Sequence, residues 1–294
     1  SEKDREVVEM LRSGDPRRVY DSPSKGVLWG WEVSAYVWTK AISAGLFFMT
    51  FLSKQFGWAE VSPETTATSL WISMGFLLLT VVLLVKDLDQ PKRFLYVLLR
   101  PHWTSWLVKG AYGLVAFGGV LTILLINTYF RVTDLWWLEW VGVLLAMFSA
   151  VYTAFLFAQA KGRDFWQSHL APYQMAVHAM LAGGAGVILL TGTVSTELAF
   201  AISGLLLLNL GMFASELTSS KLTNDAQKAA EMILSGRYSL QFWTAVALSR
   251  VVPLIIFFTG LTVLPIEVVA AVMLIGILVT EHIWIRVPQL IPLS

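Results

Sequence analysis

Glu32, Tyr36 and Lys40 recur every four residues inside an otherwise apolar run. On a helix that spacing sets all three on one face. An acid, a phenol and an ammonium in one line can donate and accept hydrogen bonds and pass protons. A charge toward the middle of a bilayer costs at least a few kcal/mol, about 2.5–3.5 on insertion scales, unless it meets a partner or a wet cavity. The stripe is therefore expected to hold something polar.

Other polar residues join it. Asp87 and Asp89 end the second apolar run, Lys109 opens the third, and Tyr152 and Gln159 lie in the last part of the fourth. All except Lys40 fall toward the same end of their spans, so they are expected to line one cavity between four helices. In the second half His178, Asn209 and Arg250 lie at similar depth, roughly 9–14 Å from that end at 1.5 Å per residue. Two readings stay open for them: a polar track for protons, or a network that glues helices at about 0.6 kcal/mol per contact. Pro253, three residues after Arg250, is expected to free a carbonyl and kink its helix. Gly183, Gly184 and Gly186 are expected to let helices pack closely.

The elements that position these residues are membrane spans. The chain is 56% hydrophobic and only 14% charged, against about 25% charged in ordinary soluble domains. Its mean hydropathy is +0.66. Eight runs are long enough to cross a bilayer, at about 32–52, 67–86, 105–127, 137–160, 172–190, 197–215, 241–263 and 267–286. The linkers between spans five and six, and between seven and eight at Pro265, are short, which implies antiparallel neighbours and hence bundles. Thirteen Trp suit two interfacial aromatic belts.

Charge placement sets an expected orientation. Seventeen Lys and Arg fall on the side of the termini and the three longer loops, two (Lys54 and Arg131) on the other, and Lys40 and Arg250 inside spans. Both termini are therefore expected to be cytoplasmic. Residues 1–25 are polar, with no apolar stretch after a short basic start, so no signal peptide is expected. Within that arm Val7, Val8, Met10 and Leu11 precede Gly14-Asp15-Pro16, a pattern for a short amphipathic helix that rests on anionic lipid or clamps a partner subunit.

Several chemistries are excluded. The net charge of +1 gives no basic field for nucleic acid. With no cysteine, the chain holds no disulfide, no Cys-ligated zinc and no iron–sulfur cluster of its own. No zincin, P-loop or nucleophile-elbow pattern is present. No metal site and no haem are expected: His169 and His178 lie too close on one segment to clamp an iron from opposite faces. His178 and His282, on different spans, leave a single bis-histidine pair open.

The loop after span two reads Asp87-Leu88-Asp89-Gln90-Pro91-Lys92-Arg93-Phe94 and continues through Pro101 and Ser105 to Gly110. It resembles the corresponding loop of the NrfD/PsrC family, the membrane subunits of polysulfide reductase-like complexes, with Asp89-Gln90 where the family usually has Gly-Arg. Trp29-Gly30-Trp31 through Tyr36 to Ala44-Gly45, Tyr152-Thr153-Ala154-Phe155-Leu156, and Gly236 through Phe242-Trp243 to Pro253 resemble three further family segments in the same order. The resemblance covers nearly the whole chain. It implies an all-α membrane protein of eight transmembrane helices in two four-helix bundles: a polar arm at 1–28, a first bundle at 29–160 and a second at 161–294.

The resemblance also implies a quinone site, for menaquinone or ubiquinone, in the first bundle. Tyr152 corresponds to the fourth-span tyrosine that hydrogen-bonds the quinone, and the family's first-span polar residues fall on the Glu32, Tyr36 and Lys40 stripe. It implies an iron–sulfur partner subunit that feeds a catalytic subunit of molybdopterin or similar type, in a prokaryotic cytoplasmic membrane. A quinone needs an apolar slot, a donor at each carbonyl and a route for two protons. Tyr36, Lys40 and Tyr152 are suited to donate, and Asp87, Asp89, His178 and Arg250 to proton transfer. Many complexes of the family carry their catalytic subunits outside the cytoplasm, whereas the charge count turns the motif-bearing face inward. Two other classes stay open: a secondary transporter of an anionic substrate held by Lys40 and Arg250, and a purely structural membrane anchor.

Overall fold

The computed structural model describes residues 29–87, 99–131, 133–159, 164–219, 221, 223–261 and 263–291. The N-terminal arm and the loop motif at 88–94 lie outside them. Among the described residues every regular element is helical. Long helices form where the apolar runs stand, at α1 Trp31–Phe56, α2 Pro63–Asp87, α3 Trp106–Phe130, α4 Trp136–Ala158, α5 Ala171–Thr191 and α6 Thr196–Thr218. A short helix, α7, covers Asn224–Leu234. The next span, α8, runs through Ser239–Val246, a π-helical turn Ala247–Val251 and Val252–Thr259. The last, α9, is Ile266–Leu290. Eight of these helices, all but α7, are long and apolar enough to cross a membrane.

Local chemistry sets the ends. Span two begins four residues earlier than its apolar run, because Ser62 Oγ accepts the Thr65 N–H at 3.0 Å and Pro63 starts the helix. Ser195 and Thr223 cap α6 and α7 in the same way. Gly57, Gly192 and Gly260 close α1, α5 and α8 in the left-handed conformation.

α1 is the most enclosed span and α8 the least. α1 packs on α2, α4, α5 and α9, and α3 packs on α2 and α4. α5 packs on α4, α6 and α9, and α8 on α6 and α9. Where α1 meets α5 the backbones touch: a Cβ on Gly45 would lie 1.8 Å from the Ala179 carbonyl oxygen, and one on Gly183 1.9 Å from that of Gly45. The close packing expected of span five is thus met at Gly183, while Gly184 and Gly186 receive the side chains of Ile202 and Leu46.

Span seven is disturbed before its proline, as expected. Pro253 has no N–H to return to the preceding turn. The Val252 N–H bonds back to the Ala247 carbonyl, which widens one turn to π geometry. Arg250 sits in that turn. Gly276 of α9 makes room for it, since a Cβ there would lie 2.1 Å from Ser249 Cβ.

Candidate functional site

Two buried polar clusters occupy the spans. The first joins α1 to α4. Tyr36 and Tyr152 share a hydrogen bond between their hydroxyls, and Tyr36 Oη lies 3.5 Å from Thr153 Oγ1. Lys40 Nζ donates to Thr153 Oγ1. The same ammonium sits 4.5 Å from the Tyr152 ring centroid and 5.4 Å from that of Tyr36. Lys40, Tyr152 and Thr153 are almost fully buried. One phenol and an ammonium therefore meet at one threonine, with the second phenol bonded to the first, in an apolar layer where such bonds are stronger than in water. Among the described residues no carboxylate lies within ion-pair distance of Lys40.

The neighbouring helices hold this cluster. Gly110 of α3 leaves space for the Tyr152 ring, which a Cβ would approach to 2.0 Å. Phe148 stacks on Tyr152 with ring centroids 6.1 Å apart. Thr80 bonds Thr39 at 2.9 Å and Ser43 bonds the Ser73 carbonyl at 2.6 Å, which ties α2 to α1.

The second cluster lies between α5, α6, α8 and α9. Arg250 Nε donates to Asn209 Oδ1 at 3.0 Å, its Nη1 to Ser249 Oγ at 2.6 Å and its Nη2 to Thr280 Oγ1 at 2.9 Å. Because Asn209 Oδ1 accepts the arginine N–H, its amide nitrogen faces His178 Nε2, at 3.1 Å. That leaves the His178 proton on Nδ1, which donates to Glu281 Oε1 at 3.1 Å. The bonds from Arg250 Nε, Asn209 Nδ2 and His178 Nδ1 thus run in one direction, ending at Glu281.

Of the residues singled out from sequence, Tyr36, Lys40 and Tyr152 meet in one site. Glu32 stands apart: it is partly exposed at the start of α1 and pairs with Lys86 at 3.5 Å. Gln159 bonds the Trp106 N–H and the Thr104 carbonyl, closing the start of α3. His178, Asn209 and Arg250 form one chain. Both ring nitrogens of His178 are engaged within it, and His282 bonds Ser34 Oγ at 2.9 Å, so the two imidazoles face different partners. Asp87 is the last residue of α2; its side chain and the whole of Asp89 lie outside the described part.

Thr153 and Glu281 are absent from the sequence-based set. Glu281 carries the signal that picks out Lys40, an ionisable group in an apolar span. It sits only five residues before Arg286, where an acid reads as interfacial. Thr153 carries no comparable signal, since a hydroxyl in a span commonly bonds its own helix.

These helices and buried clusters define a multi-pass membrane protein with ionisable groups held inside its spans. The family model described as polysulphide reductase, NrfD matches residues 21–286, and the chain belongs to that family. The family is one of membrane subunits of redox enzyme complexes. No curated protein matches the sequence.

Proposed function

We propose that the chain is the membrane-anchoring, quinone- or quinol-reactive subunit of a multi-subunit respiratory oxidoreductase. It exchanges electrons with an iron–sulfur partner subunit that serves a catalytic subunit of molybdopterin type, and it supports proton transfer. The observation that carries this reading is the buried cluster in which Tyr36 bonds Tyr152, and Tyr36 and Lys40 meet at Thr153. The packing order supports two four-helix bundles, since α1 to α4 close one ring of contacts and α5, α6, α8 and α9 another.

The residues fit a quinone. Ser149, one turn before Thr153 on α4, is fully buried and its hydroxyl has no partner among the described residues. Together with two phenols and an ammonium it gives the donors that two carbonyl oxygens require. Tyr36, Lys40 and Tyr152 would hold the head group, with Glu32 at the mouth of the same helix face. When bound there, a quinone supplies two-electron, two-proton redox chemistry.

The chain's own part is proton handling and electrostatics. A proton leaving Tyr152 Oη is replaced across its bond to Tyr36 Oη. The Lys40 ammonium beside both rings stabilises negative charge as it develops on the oxygens. Thr153 fixes the ammonium and so limits the reorganisation required. Asp87 and Asp89, at the basic end of span two, carry protons to water. His178 does so in the second half, where Arg250 holds the chain in place, because a guanidinium does not release its proton.

Replacement of Tyr152 by Phe and of Lys40 by Leu is expected to lower quinol-dependent electron transfer about tenfold or more, with the complex still assembled. Steady-state quinol oxidation by the purified complex measures this, and wild-type turnover in both variants rejects the site. Purification of the native chain without any iron–sulfur subunit would favour the transporter class instead.

A further inference from the structure

Glu281 ends the polar chain with one oxygen unused. Its Oε1 accepts from His178, while Oε2 is buried and has no partner among the described residues. Gln174 Nε2, one turn nearer the start of α5, is likewise buried without a partner. The two residues are only 6% and 5% exposed. Both line one cavity of about 40 Å³ among α1, α4, α5, α6 and α9, with Trp166 also on its wall.

A donor and an acceptor left open in apolar surroundings are each costly. Here they border one space larger than the roughly 10–15 Å³ that a single water requires. The two free polar atoms meet the lower end of a buried water's need for two to four partners. Phe157, Trp166 and Trp284 make the rest of the lining largely aromatic, so polar recognition falls to those side chains.

We propose that this cavity is an internal hydration site. Water held there by Gln174 Nε2 and Glu281 Oε2 is the point at which the buried chain takes up and releases protons. A proton arriving on that water as hydronium passes to Glu281 Oε2, which leaves neutral water and a neutral carboxylic acid. The reverse step returns it. The ionisable groups around the carboxylate are His178 from α5, Arg250 of α8 beyond Asn209, Lys40 of α1, and His282, its own neighbour on α9, which is turned to Ser34. Asn209 does not relay a proton, because a carboxamide neither gains nor loses one readily at ordinary pH. Movement is thereby confined to the water, Glu281 and His178. The exchange half of this inference rests on the proton-transfer part of the proposed function; the hydration half does not.

Radiolytic footprinting of the whole complex in oxygen-18 water tests the hydration. Met175 lines the cavity, and water activated in place would label it. Label at Met175 is expected in the native protein and should fall at least threefold in Gln174→Leu, while exposed Trp136 labels equally in both. Glu281→Gln keeps an acceptor and should keep the Met175 label, yet lower the protons moved per electron at least fivefold in proteoliposomes. Native label at background, or label unchanged in Gln174→Leu, overturns the hydration site. An unaltered proton ratio in Glu281→Gln overturns the exchange role. A native complex that turns over quinol and moves no protons, with Met175 still labelled, also sinks the exchange role but leaves the water site and the quinone site standing.

Discussion

Tyr152 owes its place to a residue with no side chain. A Cβ on Gly110 would lie 2.0, 2.3 and 2.4 Å from three atoms of the Tyr152 ring, and one on Gly113 2.5 Å from Phe148. Two glycines of α3 therefore receive two stacked rings of α4. Gly110→Ala is expected to push the ring away from Tyr36 and Lys40. Overpacking of this kind costs about 1–3 kcal/mol, and quinol turnover should fall as far as in Tyr152→Phe. Turnover measured on the assembled complex checks this, and wild-type activity would mean that the ring position is not limiting. Gly110 and Tyr152 were both legible in the sequence, in separate stretches of chain. Their contact was not, because the register between two helices is decided by packing across the bundle and not by spacing along either one. The same limit hid Thr153 as the meeting point of Lys40 and Tyr36. The stripe on α1 was legible as a stripe, but the pairing of Glu32 with Lys86 at the helix edge was not.

At the scale of elements, the contact between α1 and α5 joins the two halves of the chain. It depends on Gly45 and Gly183, each of which meets the other helix's backbone at under 2 Å if given a Cβ. Backbone cannot yield as a side-chain tip can, so Gly183→Ala must drive the helices apart. The expected result is destabilisation by about 1–3 kcal/mol or more, read as a lower inactivation temperature of the purified complex. Gly75→Ala on α2, where nothing lies within 4 Å of the added atom, serves as the comparison and should be neutral or slightly stabilising. Equal inactivation temperatures for the two variants would count against the close contact. The spans themselves were legible because twenty apolar residues leave little choice in a bilayer. Pro253 announced a disturbed helix, but not that relief would come as a π turn against Gly276, which needs the neighbouring helix. The short helix α7 is polar on most of its surface and too short to span. Ala226, Ala229, Ala230 and Ile233, buried at helical spacing, were its only signal.

For the whole molecule the open quantity is which way it faces. The Tyr152 cluster lies toward the end of the spans where α2 finishes and α5 begins, and among the described residues Lys86, Arg100, Lys109, Lys221, Lys228, Arg237 and Arg286 fall on that side. Lys54 and Arg131 mark the opposite end. Basic residues are retained on the cytoplasmic side during insertion, so the proposed site, the cavity beside Glu281 and both termini should share the cytoplasmic half. An iron–sulfur partner that reaches the same site would dock there too. The chain has no cysteine, which allows a direct test with single introduced thiols. Glu60 lies in the exposed connection between α1 and α2, and Gln227 on the exposed face of α7. In right-side-out membrane vesicles a membrane-impermeant maleimide should label Glu60→Cys at once and Gln227→Cys only after the membrane is opened. The reverse pattern would place the basic face outside. Its seventeen cations would then have to be explained by a partner subunit bound to that face, since insertion alone opposes moving so many across the bilayer.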